Sequence, residues 1–232
     1  MPSSTHPCEA PMPHALPPPR DLGDLPYAEY LERFDGRLTP EAVHDTLHFD
    51  GDTFEDADSG SARFAECAFS SVSFTGGRLR RARFNDVWLH TARLVGTDLA
   101  ETDWLDAEVV SGSLAGLEMF GAELRRVTFH QCKFDSVNFR ATTLRDVSFR
   151  DCLLRDVDFG GAALTDVAFP GSDLDGVRFE KARLERTDLR GAVRLGITAG
   201  YDSLRGALID NAQLFAIAPM LAQALGITVR DR

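Results

Sequence analysis

From Phe64 to Leu189 a large apolar residue stands at every fifth position without a single insertion; Phe64, Phe69, Phe74, Leu79 and Phe84 open the series, and Phe169, Leu174, Phe179, Leu184 and Leu189 close it. Two residues before most of them sits a smaller one, as in Ala62, Cys67, Val72, Ala82, Cys132 and Val147. A period of five excludes both common elements. On an α-helix, positions five apart are rotated by roughly 140°, so the large residues would scatter round the cylinder and bury no stripe. In a straight strand an odd period throws successive large residues onto opposite faces. The pattern is satisfied when each quintet is a short extended side followed by a corner, with its third residue at the centre of a solenoid. The remaining positions then face water, and Arg78, Arg80, Arg81, Arg145, Asp146, Arg150 and Asp151 fall there. Coils would pair at about 4.8 Å, and each buried Leu or Phe would contribute roughly 1.5–3 kcal/mol of transfer free energy.

Units such as Ala82-Arg83-Phe84-Asn85-Asp86, Val147-Ser148-Phe149-Arg150-Asp151 and Thr187-Asp188-Leu189-Arg190-Gly191 resemble the pentapeptide-repeat family, whose unit is a small residue, any residue, Leu or Phe, and two mostly polar ones. The likeness covers more than half the chain. It implies an all-β solenoid, a right-handed quadrilateral β-helix with four units per coil. Trp104 and Val109 depart from the usual centre residue and Leu117 is large for a corner, so a local bulge is expected there.

The flanks divide the chain further. Residues 1–22 are Pro-rich and read as a disordered tail. Residues 23–60 form an N-terminal acidic segment. Within it, Tyr27, Tyr30, Leu31 and Phe34 are spaced for a short helix from Pro26 to about Phe34, and Thr39-Pro40-Glu41 reads as the start of another. Phe49 and Phe54 are in phase but Ser59 interrupts them, so residues 47–60 are expected to form an irregular opening coil. The β-helix proper spans 61–191. Residues 192–232 hold final repeats, after the count falters at Arg194, and a C-terminal helix with Asp210 and Gln213 as a capping box. Leu214, Ile217, Leu221 and Leu225 continue at helical spacing to Gly226; Pro219 should kink the helix, and Ile227-Thr228-Val229 reads as a last strand. An open solenoid end exposes strand edges and an apolar bore. This helix is expected to cap it, and by the resemblance it is also a candidate for homodimerisation.

No apolar run is long enough to cross a bilayer, and the N-terminus lacks a signal-peptide layout; the expectation is a soluble, cytoplasmic protein with no membrane partner. The four cysteines, at 8, 67, 132 and 152, show no metal-ligand spacing. Cys132 and Cys152 would stack one coil apart, where two reduced core thiols are favoured over a disulfide in a reducing compartment. The six histidines read as solvated surface groups, and no Gly-rich loop precedes a strand-to-helix turn. Neither catalysis, metal nor cofactor is expected, and function must lie on the outward faces.

Quinolone-resistance members of the family resemble a rod of duplex DNA and bind type II topoisomerases. The resemblance therefore implies DNA gyrase or a related topoisomerase as partner, protected against inhibitors by a DNA mimic that does not itself bind nucleic acid. The alternative is a protein-interaction scaffold with an unidentified partner. Net charge is −11, but residues 1–60 hold 13 acidic and 3 basic residues, whereas 61–191 hold 20 and 18, so the rod is nearly neutral. Within it Asp98, Glu101, Asp103, Asp106, Glu108, Glu118 and Glu123 follow one another with no basic residue before Arg125. They would make an acidic belt about one and a half coils tall, the candidate contact surface. Arg145-Asp146, Arg150-Asp151 and Arg155-Asp156 read as self-paired.

Overall fold

The quintets fold as short strands, such as Arg63–Ala65, Ala68–Ser70 and Ser73–Thr75. Two residues beyond each centre the chain turns, and the turning residue adopts left-handed backbone: Glu66, Asp86, Asp106, Arg126, Asp146 and Asp166 have φ between 50° and 55°. Aspartate recurs at these corners because its short polar side chain tolerates that conformation better than most. The computed structural model describes residues 18–230, in which about eight coils stack in parallel. Most of the Pro-rich tail read over 1–22 lies outside the described residues.

Each centre residue faces the one twenty positions on. One column runs His44, Phe64, Phe84, Trp104, Leu124, Leu144, Leu164, Leu184. The next side carries Phe49, Phe69, Leu89, Val109, Phe129 and Phe149, and the third Phe54, Phe74, Leu94, Leu114, Phe134, Leu154 and Leu174. The fourth is linked by single bridges through Asp58, Arg78, Asp98, Glu118, Asn138, Asp158 and Arg178. Four quintets therefore make one coil, and the fold is the quadrilateral β-helix expected. Its bore is filled by ladders of rings. Phe129, Phe149 and Phe169 stack at 5.0 Å intervals, Phe139, Phe159 and Phe179 at 5.3 and 5.4 Å, and the ladders meet edge-on, the geometry aromatic quadrupoles favour.

No bulge forms at the atypical centres. Trp104 stacks on Phe84 at 4.0 Å and its Nε1 donates to Thr102 Oγ1 at 3.0 Å, so the larger ring is housed with its N–H satisfied. Val109 leaves space that the buried Leu117 side chain helps to fill, leaving a cavity of about 20 Å³ lined by both. The ladder breaks later. Asp173 faces Arg194, twenty-one positions on, and the register shifts twice before Arg178. One extra residue has entered, Val193 is exposed, and this accounts for the lost count at Arg194.

The opening of the chain differs from its sequence reading. Between Pro26 and Phe34 there is no α-helix, only a 3-10 turn at Ala28–Tyr30 and a two-residue strand, Glu32–Arg33, with a second 3-10 turn just before them at Leu22–Asp24. The four apolar residues serve different surfaces: Tyr27 packs on the outside of the rod, Tyr30 is exposed, and Phe34 enters the bore to stack on Phe49 at 4.3 Å. No helix follows Thr39 either. Glu41, at φ 59°, is already a corner, and the strand Val43–Asp45 follows. Residues 47–60 are regular, with strands Leu47–Asp50 and Thr53–Glu55 in register with the coil above. Ser59 occupies a centre position, buried, its hydroxyl donating to the Thr39 carbonyl at 3.5 Å.

At the other end the helix Asn211–Ala224 forms, closed by reciprocal bonds between Asp210 and Gln213. Gln213 and Ile217 cover the bore, and Gln213 Nε2 donates to the Leu189 carbonyl at 2.7 Å. Residues Ile227 to Val229 form no strand. Gly226 takes φ 72°, and the Ile227 N–H donates back to the Ala222 carbonyl at 2.8 Å, a Schellman closure that ties this segment to its own helix.

Candidate interaction surface

The outward residues, too, pair at a spacing of about one coil. Arg78 meets Asp58, Arg83 meets Asp103, Arg126 meets Asp106, Arg155 meets Asp135, Arg178 meets Asp158 and Arg186 meets Asp166. Arg155 thus takes its carboxylate from the neighbouring coil rather than from adjacent Asp156, the reverse of the self-paired reading. Extended backbone points adjacent side chains to opposite faces, whereas the ladder places residues twenty apart side by side.

This spacing decides the state of the seven belt carboxylates. Asp98 and Glu118 lie on the fourth side, Glu101 at the corner leaving it, Asp103 and Glu123 on the first side, Asp106 at the next corner and Glu108 on the second side. The third side contributes none. Glu101 is bound by Arg80 and Arg81, Asp98 lies 3.8 Å from Arg80, and Glu118 accepts from Asn138 at 2.7 Å. Hydrogen bonds from Arg80 and Arg126 hold the Glu101 and Asp106 carboxyls below the usual carboxylate range. Glu123 stands exposed on the first side. The belt is a set of screened pairs more than a continuous field, and exposed pairs of this kind contribute little to stability.

A different alignment of charge runs along the axis. One corner column reads Glu66, Asp86, Asp106, Arg126, Asp146, Asp166 and Arg186, one residue per coil. Five carboxylates stand in line, with Arg126 and Arg186 bonded to Asp106 and Asp166 respectively. Burial, reinforced by neighbouring Asp106, pushes the Asp86 carboxyl up. This column escapes notice in a linear scan because its members lie twenty residues apart. The acidic segment before residue 60 adds to it: Glu41, Asp45, Asp50, Glu55 and Asp56 are exposed on the first coil, so the acidity is built into one end of the rod.

Beside that column, on the second side, residues 20–31 form a strap on the outside of the coils. Leu25 and Tyr27 pack on Ala68 and Trp88, and Trp88 Nε1 donates to the Arg20 carbonyl at 3.1 Å. The Arg20 backbone N–H and Nε donate to the two Glu108 oxygens at 3.0 and 2.5 Å. Glu108 is 7% exposed, and His130 Nε2 approaches it to 3.4 Å. Beyond the strap a groove of about 520 Å³ opens, lined by Arg20, Asp86, Asp106, Arg126, Thr128, His130, Ser148 and Arg150. Thus Glu108 is an anchor inside the molecule, and His130 is no solvated histidine: burial lowers its pKa against the opposing pull of Glu108. The signal in the sequence is Trp88, a large indole at an outward position of the repeat.

Of the four helix residues, Ile217 is buried and Leu221 half-buried, whereas Leu214 and Leu225 are exposed together with Phe215, Met220 and Ile227. Capping therefore falls to Gln213 and Ile217, and the helix presents an apolar outer face. Cys67, Cys132 and Cys152 are buried free thiols; burial pushes the Cys67 pKa up to about 11 and that of Cys152 up as well. Among the described residues no group of three His, Cys, Asp or Glu is placed to hold a metal, and no helix is long and apolar enough to cross a membrane.

A family model described as a pentapeptide repeat region matches residues 106–179. No curated protein matches the chain. Among solved structures, a trypsin-treated form of QnrB1, a plasmid-mediated fluoroquinolone resistance protein, is similar at 19% identity and a TM-score of 0.43, over 84% of this chain and 99% of that one. HetL, a pentapeptide repeat protein involved in heterocyst differentiation regulation from the cyanobacterium Nostoc sp. strain PCC 7120, is similar at 18% identity and a TM-score of 0.28, over 75% and 92%.

Proposed function

We propose that this β-helix, whose residues 106–179 match a pentapeptide repeat region, acts without catalysis, as a rigid binding surface for a protein that normally grips DNA, with DNA gyrase or another type II topoisomerase as the partner. The observation that carries this reading is the axial line of Glu66, Asp86, Asp106, Asp146 and Asp166, continued into the acidic first coil. A cleft that binds duplex DNA concentrates positive potential. Five of the six coils from Glu66 to Asp166 present a carboxylate, in steps of about 4.8 Å and with Asp106 and Asp166 paired to Arg126 and Arg186, against one phosphate per about 1.7 Å of duplex axis, so the rod would satisfy part of one edge of such a cleft. A supercoiling assay on purified gyrase, with and without a quinolone, tests it. Inhibition or drug protection at micromolar protein, lost on reversing Glu66, Asp86 and Asp146 to lysine, is expected; neither effect at that concentration refutes it.

The second reading, a scaffold for another protein, is favoured by the coil-to-coil pairing of most belt carboxylates, which leaves the rod's sides close to neutral. Under either reading the exposed face of Leu214, Phe215, Leu225 and Ile227 supports a homodimer through the C-terminal helix. Sedimentation at micromolar concentration should give twice the chain mass for the natural protein and one chain for Phe215→Glu with Leu225→Glu. A monomeric natural protein would remove the dimer.

A further inference from the structure

The first ring of the first-side ladder is an imidazole. His44 sits at a centre position, 6% exposed, parallel to Phe64 at 4.9 Å and edge-on to Phe34 and Phe49 at 5.6 and 5.8 Å. Its Nε2 is buried without a hydrogen-bond partner. Every later member of that column is apolar. Phe34, which closes the bore by stacking on Phe49, is joined through Glu32–Arg33 to the strap. We propose that this end is a proton-operated closure: protonation of His44 drives the first coil and Phe34 off the rod while the later coils stay folded.

A charged imidazole among three phenyl rings, with no acceptor for its second N–H, is far less stable than one in water, and burial lowers the pKa of His44 accordingly. The groups packed against it do not rescue the charge. Phe34, Phe49 and Phe64 are neutral. The Cys67 thiol, 3.6 Å from the His44 carbonyl, has its pKa pushed up to about 11 and stays protonated. Asp45 and Glu66 point to solvent. The coil's other histidine, His48, lies half-buried on the outside and is bonded to Ser70 Oγ at 2.8 Å, and its carboxylates Glu41, Asp50, Glu55 and Asp56 are exposed. Because the folded pKa is depressed, the open form binds the extra proton. Closure is therefore complete above pH 6.5 and weakens as pH falls below that value toward the folded pKa. Since a solenoid's coils are stabilised by their neighbours, the terminal one can leave alone.

Hydrogen exchange on the full chain, corrected for intrinsic rates, tests this. Between pH 7.5 and 5.5 one proton of linkage raises the opening constant by up to about tenfold, so protection in the strands Val43–Asp45 and Leu47–Asp50 should fall by a factor approaching that bound, and that in Thr143–Arg150 should not. His44→Phe, which continues the ring ladder, should abolish the fall, and His48→Gln should leave it intact. The proposal is overturned if His44→Phe shows the same fall as the natural protein, if only His48→Gln removes it, if both ends lose protection together, or if the natural protein shows no fall.

Discussion

Truncating Phe149 to alanine probes the bore where it is most tightly filled. The ring is fully buried, lies between Phe129 and Phe169 at 5.0 Å on either side, and meets Phe134 edge-on at 5.5 Å. Removing a buried Phe side chain costs about 3–5 kcal/mol where the surroundings cannot collapse, and here the coils above and below hold the cavity open. Loss of two stacked contacts places the cost at the upper end, since each such pair is worth about 0.5–1.5 kcal/mol beyond area. Phe149→Leu, which substitutes the other common centre residue, should cost no more than about 1.5 kcal/mol. Phe54→Ala, at the half-exposed end of its ladder with one parallel neighbour, Phe74 at 4.8 Å, should cost roughly half as much as Phe149→Ala. Urea unfolding followed by far-UV circular dichroism at 25 °C measures all three. A loss below about 2 kcal/mol for Phe149→Ala, or an equal loss for Phe54→Ala, would refute the view that stacked coils brace each centre residue from both sides.

Other outcomes follow from single contacts. At Gly77 a Cβ would lie 2.5 Å from the Ala57 carbonyl oxygen and 2.8 Å from its backbone nitrogen, with φ +79°, whereas Gly161, at φ +68°, has nothing within 4 Å; Gly77→Ala should therefore lower the melting temperature clearly more than Gly161→Ala, and equal shifts would count against the packed corner. Glu108→Ala removes both bonds to Arg20, charge-assisted contacts worth about 1–3 kcal/mol, and should shift Trp88 emission to the red with unchanged far-UV dichroism; unaltered emission would show that the strap is held elsewhere. In a Cys8→Ser background, no thiol should react with a disulfide reagent at pH 8 until the chain unfolds, because Cys67, Cys132 and Cys152 are buried; rapid labelling of any of them would contradict the packing described.

The period of five legislates for every centre residue from Phe64 to Leu189, and there sequence and structure agree, since a buried side chain must obey the winding of its backbone. What escapes a linear reading is the relation between residues one coil apart. Asp156 stands next to Arg155 in the chain and suggests itself as the partner, yet the arginine turns to Asp135; the acidic corner column is equally invisible without the four-sided geometry. The start of the chain misleads for another reason. Tyr27 and Phe34 are both buried, but against opposite sides of the wall, one outside on Trp88 and one within on Phe49, and helical spacing cannot distinguish two surfaces from one. His44 is hidden by composition: a polar residue at a centre position looks like a break in the repeat until its ring is seen stacked on Phe64.

Because each regular coil repeats after twenty residues with its strand-to-strand bonds directed to the coils before and after, the molecule behaves as a ruler with graduations of about 4.8 Å. Beyond Glu108, where the strap is anchored, excising or duplicating one such segment would leave every junction with a legal neighbour. The distance between the acidic mouth and the apolar helix is thus open to change in whole steps during evolution, with neither terminus redesigned.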